Sequence, residues 1–124
     1  YCQRLTGIQQ EDIDAAPPFD RVISSFRNWM DASDADDIMC SWGAKDADLL
    51  RNDLQAHQLT VDWMPLHIDL KQQYHDIMGE GRKRGLKRVL EREGLPFEGN
   101  HHRALDDASN LSRLFLKYLD RWMY

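Results

Sequence analysis

The 124 residues carry 16 Lys and Arg against 21 Asp and Glu, a net charge of −5, with 42% hydrophobic and 30% charged residues. That length suits one domain with a buried core, and the composition is globular rather than disordered. No apolar run approaches the roughly 18 residues of a membrane span, nothing near the start reads as a secretory segment, and an acidic total argues against wrapping duplex DNA by bulk charge.

The chain opens Tyr1-Cys2-Gln3-Arg4 without an initiating Met, so the expectation is a piece of a longer protein. Tyr1 to Asp14 reads as loop with a short helical turn. Pro17-Pro18 then stands where a helix can begin, because the first helical turn needs no backbone donor. Phe19, Val22, Ile23, Phe26, Trp29 and Met30 follow at helical spacing, and the amphipathic helix ends in the acidic stretch from Asp31 to Asp37. Ile38 to Trp42 is a short apolar run closed by Gly43 and predicts a buried strand. A helix starts near Asp46, with Leu49, Leu50 and Leu54 on one face. Leu66 to Leu70 is a second strand, less well bounded because it can merge into the segment through Tyr74 and Met78.

Leu86, Val89 and Leu90 mark a short helix closed by Gly94, with Pro96 just beyond. The final helix runs from Ala104 to Trp122. Short buried strands alternating with helices predict an α/β fold, and two strands are too few for a stable sheet, so further strands are expected before Tyr1. Only Cys2 and Cys40 occur, which fits a reducing, cytoplasmic setting with both as small buried hydrophobes.

Three segments hold residue types suited to chemistry. On the final helix, with Ala104 at 0°, Ala104, Ala108, Leu111, Phe115, Tyr118 and Trp122 cluster as a buried stripe. Asp106 falls near 200°, with Asn110, Arg113 and Lys117 on a solvated face, while Asp107 falls near 300° and points inward. An inward carboxylate needs a metal, a cation or several donors, and the helix N-terminus itself is one such environment. His101 and His102 precede it, either as plain loop histidines or with one acting as general base. Asp46 stands between a strand end and a helix start, either as a cap or where open sheets place ligands. Leu5-Thr6-Gly7-Ile8 reads as a turn whose glycine also permits close backbone approach. Arg82, Lys83, Arg84, Lys87, Arg88 and Arg92 form a basic cluster, read as a solvated helix face with phosphate contact as the alternative.

In order, Leu5-Thr6-Gly7-Ile8, Trp42 with Asp46 and Leu50, Ile68-Asp69-Leu70-Lys71, Gly85-Leu86 and His102-Arg103-Ala104-Leu105-Asp106-Asp107-Ala108-Ser109-Asn110 resemble the DnaQ-like 3′–5′ exonucleases of the DEDDh class. The branch most similar holds the histone-mRNA and small-interfering-RNA exonucleases and their bacterial relatives. The resemblance implies an RNase H-like α/β domain, a mixed sheet flanked by helices, present over 1–124 as its C-terminal part and lacking the first strands. It implies His102 as the general base, Asp46 and Asp107 as ligands of two divalent ions, Mg²⁺ or Mn²⁺, and Thr6, Gly7 and Ile8 as contacts to the 3′-terminal nucleotide. The expected substrate is a single-stranded 3′ end, RNA rather than DNA, released as nucleoside 5′-monophosphates. The family's first motif, Asp-x-Glu, has no counterpart in these 124 residues. The alternative is therefore a non-catalytic relative that binds nucleic acid or protein.

Overall fold

The computed structural model describes residues 2–31 and 37–124, without the Cys2 side chain. The acidic stretch expected to follow the first long helix lies mostly outside the described residues, as does the burial expected of Cys2.

The N-terminal segment is more helical than expected: α1 spans Cys2–Thr6 and α2 spans Gln10–Ala15. Between them Gly7 turns the chain at a φ of 73°, and its N–H donates to the Gln3 carbonyl at 2.8 Å. A reciprocal pair closes the start of α2, with the Gln9 N–H donating to Asp12 Oδ2 at 2.9 Å. The next helix, α3 (Phe19–Asp31), begins behind Pro18, whose carbonyl accepts from Arg21 and Val22 at 3.0 and 3.1 Å. Of its expected apolar stripe only Ile23 is buried; Trp29 is 72% exposed.

Strand β1 (Ile38–Ser41) leads through a turn at Gly43, φ 142°, into α4 (Lys45–Ala56). The chain returns as β2 (Leu66–Asp69), parallel to β1 with Ile38 opposite Leu66 and Ser41 opposite Asp69. This β–α–β unit is the parallel pairing that α/β alternation demands. The second strand stops where Asp69 caps α5 (Leu70–Met78), accepting from the Gln72 N–H at 3.0 Å. That cap separates strand from helix at the boundary the sequence left open.

The remaining helices are α6 (Leu86–Arg92) and α7 (Ala104–Lys117). The helix expected to reach Trp122 stops at Lys117. After Tyr118 the chain turns back, and Trp122 Nε1 donates to the Phe115 carbonyl at 2.8 Å, so Trp122 is buried through the turn. The main core joins Ile68, Leu70, Tyr74, Leu86, Val89, Leu90, Leu111, Leu114 and Trp122, with half-buried Cys40 and Trp42 packed against it. Burial pushes the Cys40 thiol pKa up, as suits the small hydrophobe expected there. Among the described residues, no helix is long and apolar enough to cross a membrane.

The burial phase of α7 differs from the sequence expectation. Ala104 and Ala108 are exposed, and Asn110 is buried beside Leu111 and Leu114. The buried face is thus rotated toward Asp107, because the loop before α7 folds over that side and supplies polar partners for Asn110.

Candidate functional site

The loop 98–103 is folded onto the first turns of α7 by that helix's own polar side chains. Asn110, 1% exposed, donates to the Glu98 and Asp106 carbonyls at 2.7 and 2.8 Å and accepts from the Glu98 N–H at 3.0 Å. Arg113 donates to the same Asn110 oxygen at 3.1 Å. Asp106 is half-buried and accepts from the Asn100 N–H at 2.8 Å, rather than lying in solvent beside Arg113 and Lys117 as the helical phase suggested. A Cβ at Gly99, whose φ is 81°, would stand 2.6 Å from the Asp106 carboxylate carbon. Only glycine lets the chain pass so close to that carboxylate.

Asp107 is half-buried in the same turn. Its Oδ2 accepts from the His102 N–H at 3.1 Å, while its Oδ1 is buried with no hydrogen-bond partner. His101 Nε2 lies 3.9 Å from that Oδ1. The His102 backbone, at a φ of 74°, therefore serves Asp107, and its exposed ring packs on His101 with centroids 3.8 Å apart. The sequence reading set Asp107 inward and Asp106 in solvent, whereas both carboxylates are half-buried against the loop and only Asp107 keeps a buried oxygen without a partner among the described residues. The structure does not bring the His102 ring into contact with Asp107; the His101 ring is the one that faces it.

Thr6 and Gly7 meet this loop. With Arg4, Asn100, His101 and Arg103 they line a cavity of about 470 Å³. Ile8 lines an adjoining cavity of about 410 Å³ with Asp12, Arg103, Ala104 and Leu105. Two motifs nearly 100 residues apart in sequence thus share one surface. Within the turn, Thr6 Oγ1 accepts from the Ile8 N–H at 3.2 Å.

Asp46 is placed differently. It lies exposed in the first turn of α4, with no hydrogen bond or ion pair among the described residues. Helix capping does not account for it, since α4 has no side-chain cap and its N-cap residue is Ala44. Its neighbour Asp48 pairs with Arg51 at 3.1 Å. Among the described residues no three His, Cys, Asp or Glu side chains converge as a metal group. The unpartnered Asp107 Oδ1 is nevertheless a hard oxygen donor of the kind divalent Mg²⁺ and Mn²⁺ take and fits one ligand of such a site, while no contact among the described residues joins Asp46 to it.

Sequence reasoning missed His101 as the imidazole facing Asp107, Asn110 as the clamp under the loop, and Asp106 as the support of Asn100. The available signal was the angle of Asn110, which falls between Asp106 and Leu114 on the helical wheel, at the border of the apolar side.

The chain is similar to proteins of known name. It is 30% identical to the 3′-5′ exonuclease eri1 of Schizosaccharomyces pombe, over 94% of this chain and 48% of that protein. It is 27% identical to the probable 3′-5′ exonuclease KapD of Bacillus subtilis, over 92% of this chain and 55% of that protein. It is 25% identical to the human 3′-5′ exoribonuclease 1, over 96% of this chain and 36% of that protein. The chain therefore spans about half or less of these relatives' lengths. A crystal structure of a full-length 3′-exonuclease superposes with a TM-score of 0.88 at 25% identity, covering 96% of this chain and 41% of that one. A 3′-exonuclease solved for its recognition of the histone mRNA stem-loop gives a TM-score of 0.87 at 24% identity, over 96% of this chain and 56% of that one. These likenesses identify the fold as RNase H-like. Since the exonuclease family typified by RNase T matches residues 1–115, nearly the whole chain, this protein belongs to that family.

Proposed function

We propose that this chain is the part of a metal-dependent 3′–5′ exonuclease that holds the strand end and one side of the cleavage centre, acting on single-stranded 3′ ends, RNA before DNA. The observation that carries the reading is the buried, unpartnered Asp107 Oδ1 beside His101, whose imidazole also lines the Thr6–Gly7 cavity. An acceptor left without a donor in a buried position costs stability unless something occupies it. The names of relatives such as the human exoribonuclease support RNA as substrate.

In this reading Asp107 and Asp46 are ligands, with the remaining carboxylates supplied from outside these 124 residues. Two divalent ions, Mg²⁺ or Mn²⁺, would supply Lewis-acid charge at the scissile phosphate. Thr6, Gly7 and Ile8 receive the terminal nucleotide against Arg103. His102 takes the proton of the attacking water, and its tilted contact with the His101 ring keeps its ring over the loop. The Asn110 clamp fixes the loop so that both histidines and Asp107 hold their places. The products are nucleoside 5′-monophosphates.

The test is release of nucleoside 5′-monophosphate from a single-stranded RNA labelled in its 3′-terminal nucleotide, in Mn²⁺, by the protein that carries this domain, with and without Asp107→Asn. We expect at least a hundredfold slower release from the variant, since Asn keeps the His102 N–H acceptor and loses only the charge. Equal rates, or products from internal cleavage, would remove the reading.

A further inference from the structure

The chain carries a net charge of −5, yet five of its cations fall within seven residues, at Arg82, Lys83, Arg84, Lys87 and Arg88. These were expected on a solvated helix face. They line a cavity of about 460 Å³ whose further wall is His101, with Glu91 its single carboxylate. Arg82, Lys83, Lys87 and Arg88 are exposed and form no ion pair among the described residues. Other cations are already used: Arg84 and Arg92 by Glu80, Arg113 by Glu98, Lys117 by Glu93.

The basic segment is also held in place. The Arg84 N–H donates at 2.9 Å to Nε2 of His75, which is 1% exposed and whose Nδ1 donates to the Lys71 carbonyl at 2.7 Å. On its other side the Arg84 carbonyl accepts from Trp42 Nε1 at 3.1 Å. A buried histidine and a core tryptophan thus fix the backbone from which these side chains project. Unpaired cations on a fixed backbone suit a polyanion, because the ordering entropy of the segment is already spent.

The position gives the polyanion an identity. His101 is the common wall between this basic cavity and the one lined by Thr6 and Gly7. The geometry points to the basic cavity as the track for the phosphodiester backbone of a single strand whose 3′ end lies at Thr6–Gly7. This assignment of the strand's direction rests on the exonuclease reading; the binding of the backbone does not. Four unpaired cations and no aromatic platform beyond His101 make the contact one to phosphates, independent of base sequence.

The test is fluorescence anisotropy with 5′-fluorescein uridine oligonucleotides, a dodecamer and a trimer, in EDTA across a salt series. The variants are the double substitution Lys87→Gln with Arg88→Gln, and Arg121→Gln as a surface control. For the double variant we expect dodecamer affinity to fall about tenfold and the slope of log Kd against log salt to shrink by about 1.4, while trimer affinity stays within about twofold. The control should change neither. An unchanged slope, an equal loss for trimer and dodecamer, or an equal loss in Arg121→Gln would overturn the proposal. EDTA separates it from turnover: a protein that releases no monophosphate in Mn²⁺ yet shows the slope change loses the exonuclease reading and keeps this one.

Discussion

Asp107 and Asp46 are carried by two differently built regions. Asp107 begins a helix whose Leu111 and Leu114 lie in the main core with Tyr74, Val89 and Leu90, and its loop is clamped from below by Asn110. Asp46 begins a helix whose buried residues, Ala47 and Leu54, lie outside that core. The α3–α4 region is joined instead by aromatic contacts: Phe19 on His57 at 4.7 Å, Phe26 on Trp63 at 6.2 Å, and Arg27 over Trp63 at 5.5 Å. The region bearing Asp107 is therefore fixed by packing, and the region bearing Asp46 projects from a more exposed layer. Preformed geometry suits a residue that must hold a charge in a fixed place, at the cost of an unsatisfied buried oxygen.

The difference is largest in the core. Leu114 is 0% exposed and Leu49 is 60% exposed. Leu114→Ala should cost about 2–5 kcal/mol, and Leu49→Ala a few tenths, roughly. Urea denaturation of the two variants measures it; comparable losses would mean that α4 is packed as tightly as α7 and would end the contrast.

Asn110→Ala comes next. It removes one buried amide that serves the Glu98 N–H, the Glu98 and Asp106 carbonyls and Arg113. Loss of about 2–3 kcal/mol is expected, because the partners stay buried and unpaired. Amide exchange should speed up at Glu98 and Asn100 while the α4 amides keep their protection. Uniform acceleration across both regions would show that the clamp is not local.

The readable part of the fold follows from strong local rules. Pro18, the short run from Ile38, Gly94 and the apolar repeat of the last helix each specify an element by chain stereochemistry or periodicity. Misreadings occurred where tertiary contact decides. Asn110 is polar, so periodicity assigns it to solvent, yet the folded-back loop at Glu98 gives it two partners and its own helix, through Asp106 and Arg113, two more. Trp122 continues the helical phase, yet its indole satisfies the Phe115 carbonyl and ends the helix early. The inward direction of Asp107 was legible from helical geometry. That His101 rather than His102 faces it was not, because the choice depends on a positive φ at His102, a conformation that stays uncommon for any residue but glycine.

A third contrast concerns pH. Burial opposes the charge of Glu93, but hydrogen bonds from Lys117, Tyr118 and Tyr74 outweigh it and bring its pKa down from 4.5 to about 2. Those bonds are 2.7, 2.6 and 2.5 Å long and tie α5 and α7 to the end of α6. A lowered pKa means that the folded state prefers the carboxylate. Its contribution is complete above pH 4.5 and is lost as pH falls toward 2. Thermal melts between pH 6 and 2 should thus show a smaller acid-induced drop in Tm for Glu93→Gln than for the wild-type chain. Burial and the same carboxylate raise the Tyr118 hydroxyl to about 12, so that its contribution is lost as pH rises from 10 to 12. Parallel acid profiles for Glu93→Gln and wild type would place the acid-sensitive contact elsewhere.

The smallest expected change in stability is the one that most sharpens the comparison. Asp46 has no hydrogen-bond partner among the described residues and stands in the first turn of α4, where a negative charge interacts favourably with the helix dipole. Asp48 lies two residues further on in the same turn and repels it, which offsets part of that gain. Asp46→Asn should therefore change stability by no more than about 0.5 kcal/mol. If Asp46 is only a surface charge, activity should be equally insensitive. If it is a ligand, Mn²⁺-dependent release of monophosphate should fall by at least tenfold at unchanged Tm, because only the ion notices the missing charge. The paired measurement separates the two roles, which a loss of activity by itself would not. A drop in both Tm and activity would show that Asp46 is held by contacts in the folded protein, and the contrast with Asp107 would disappear.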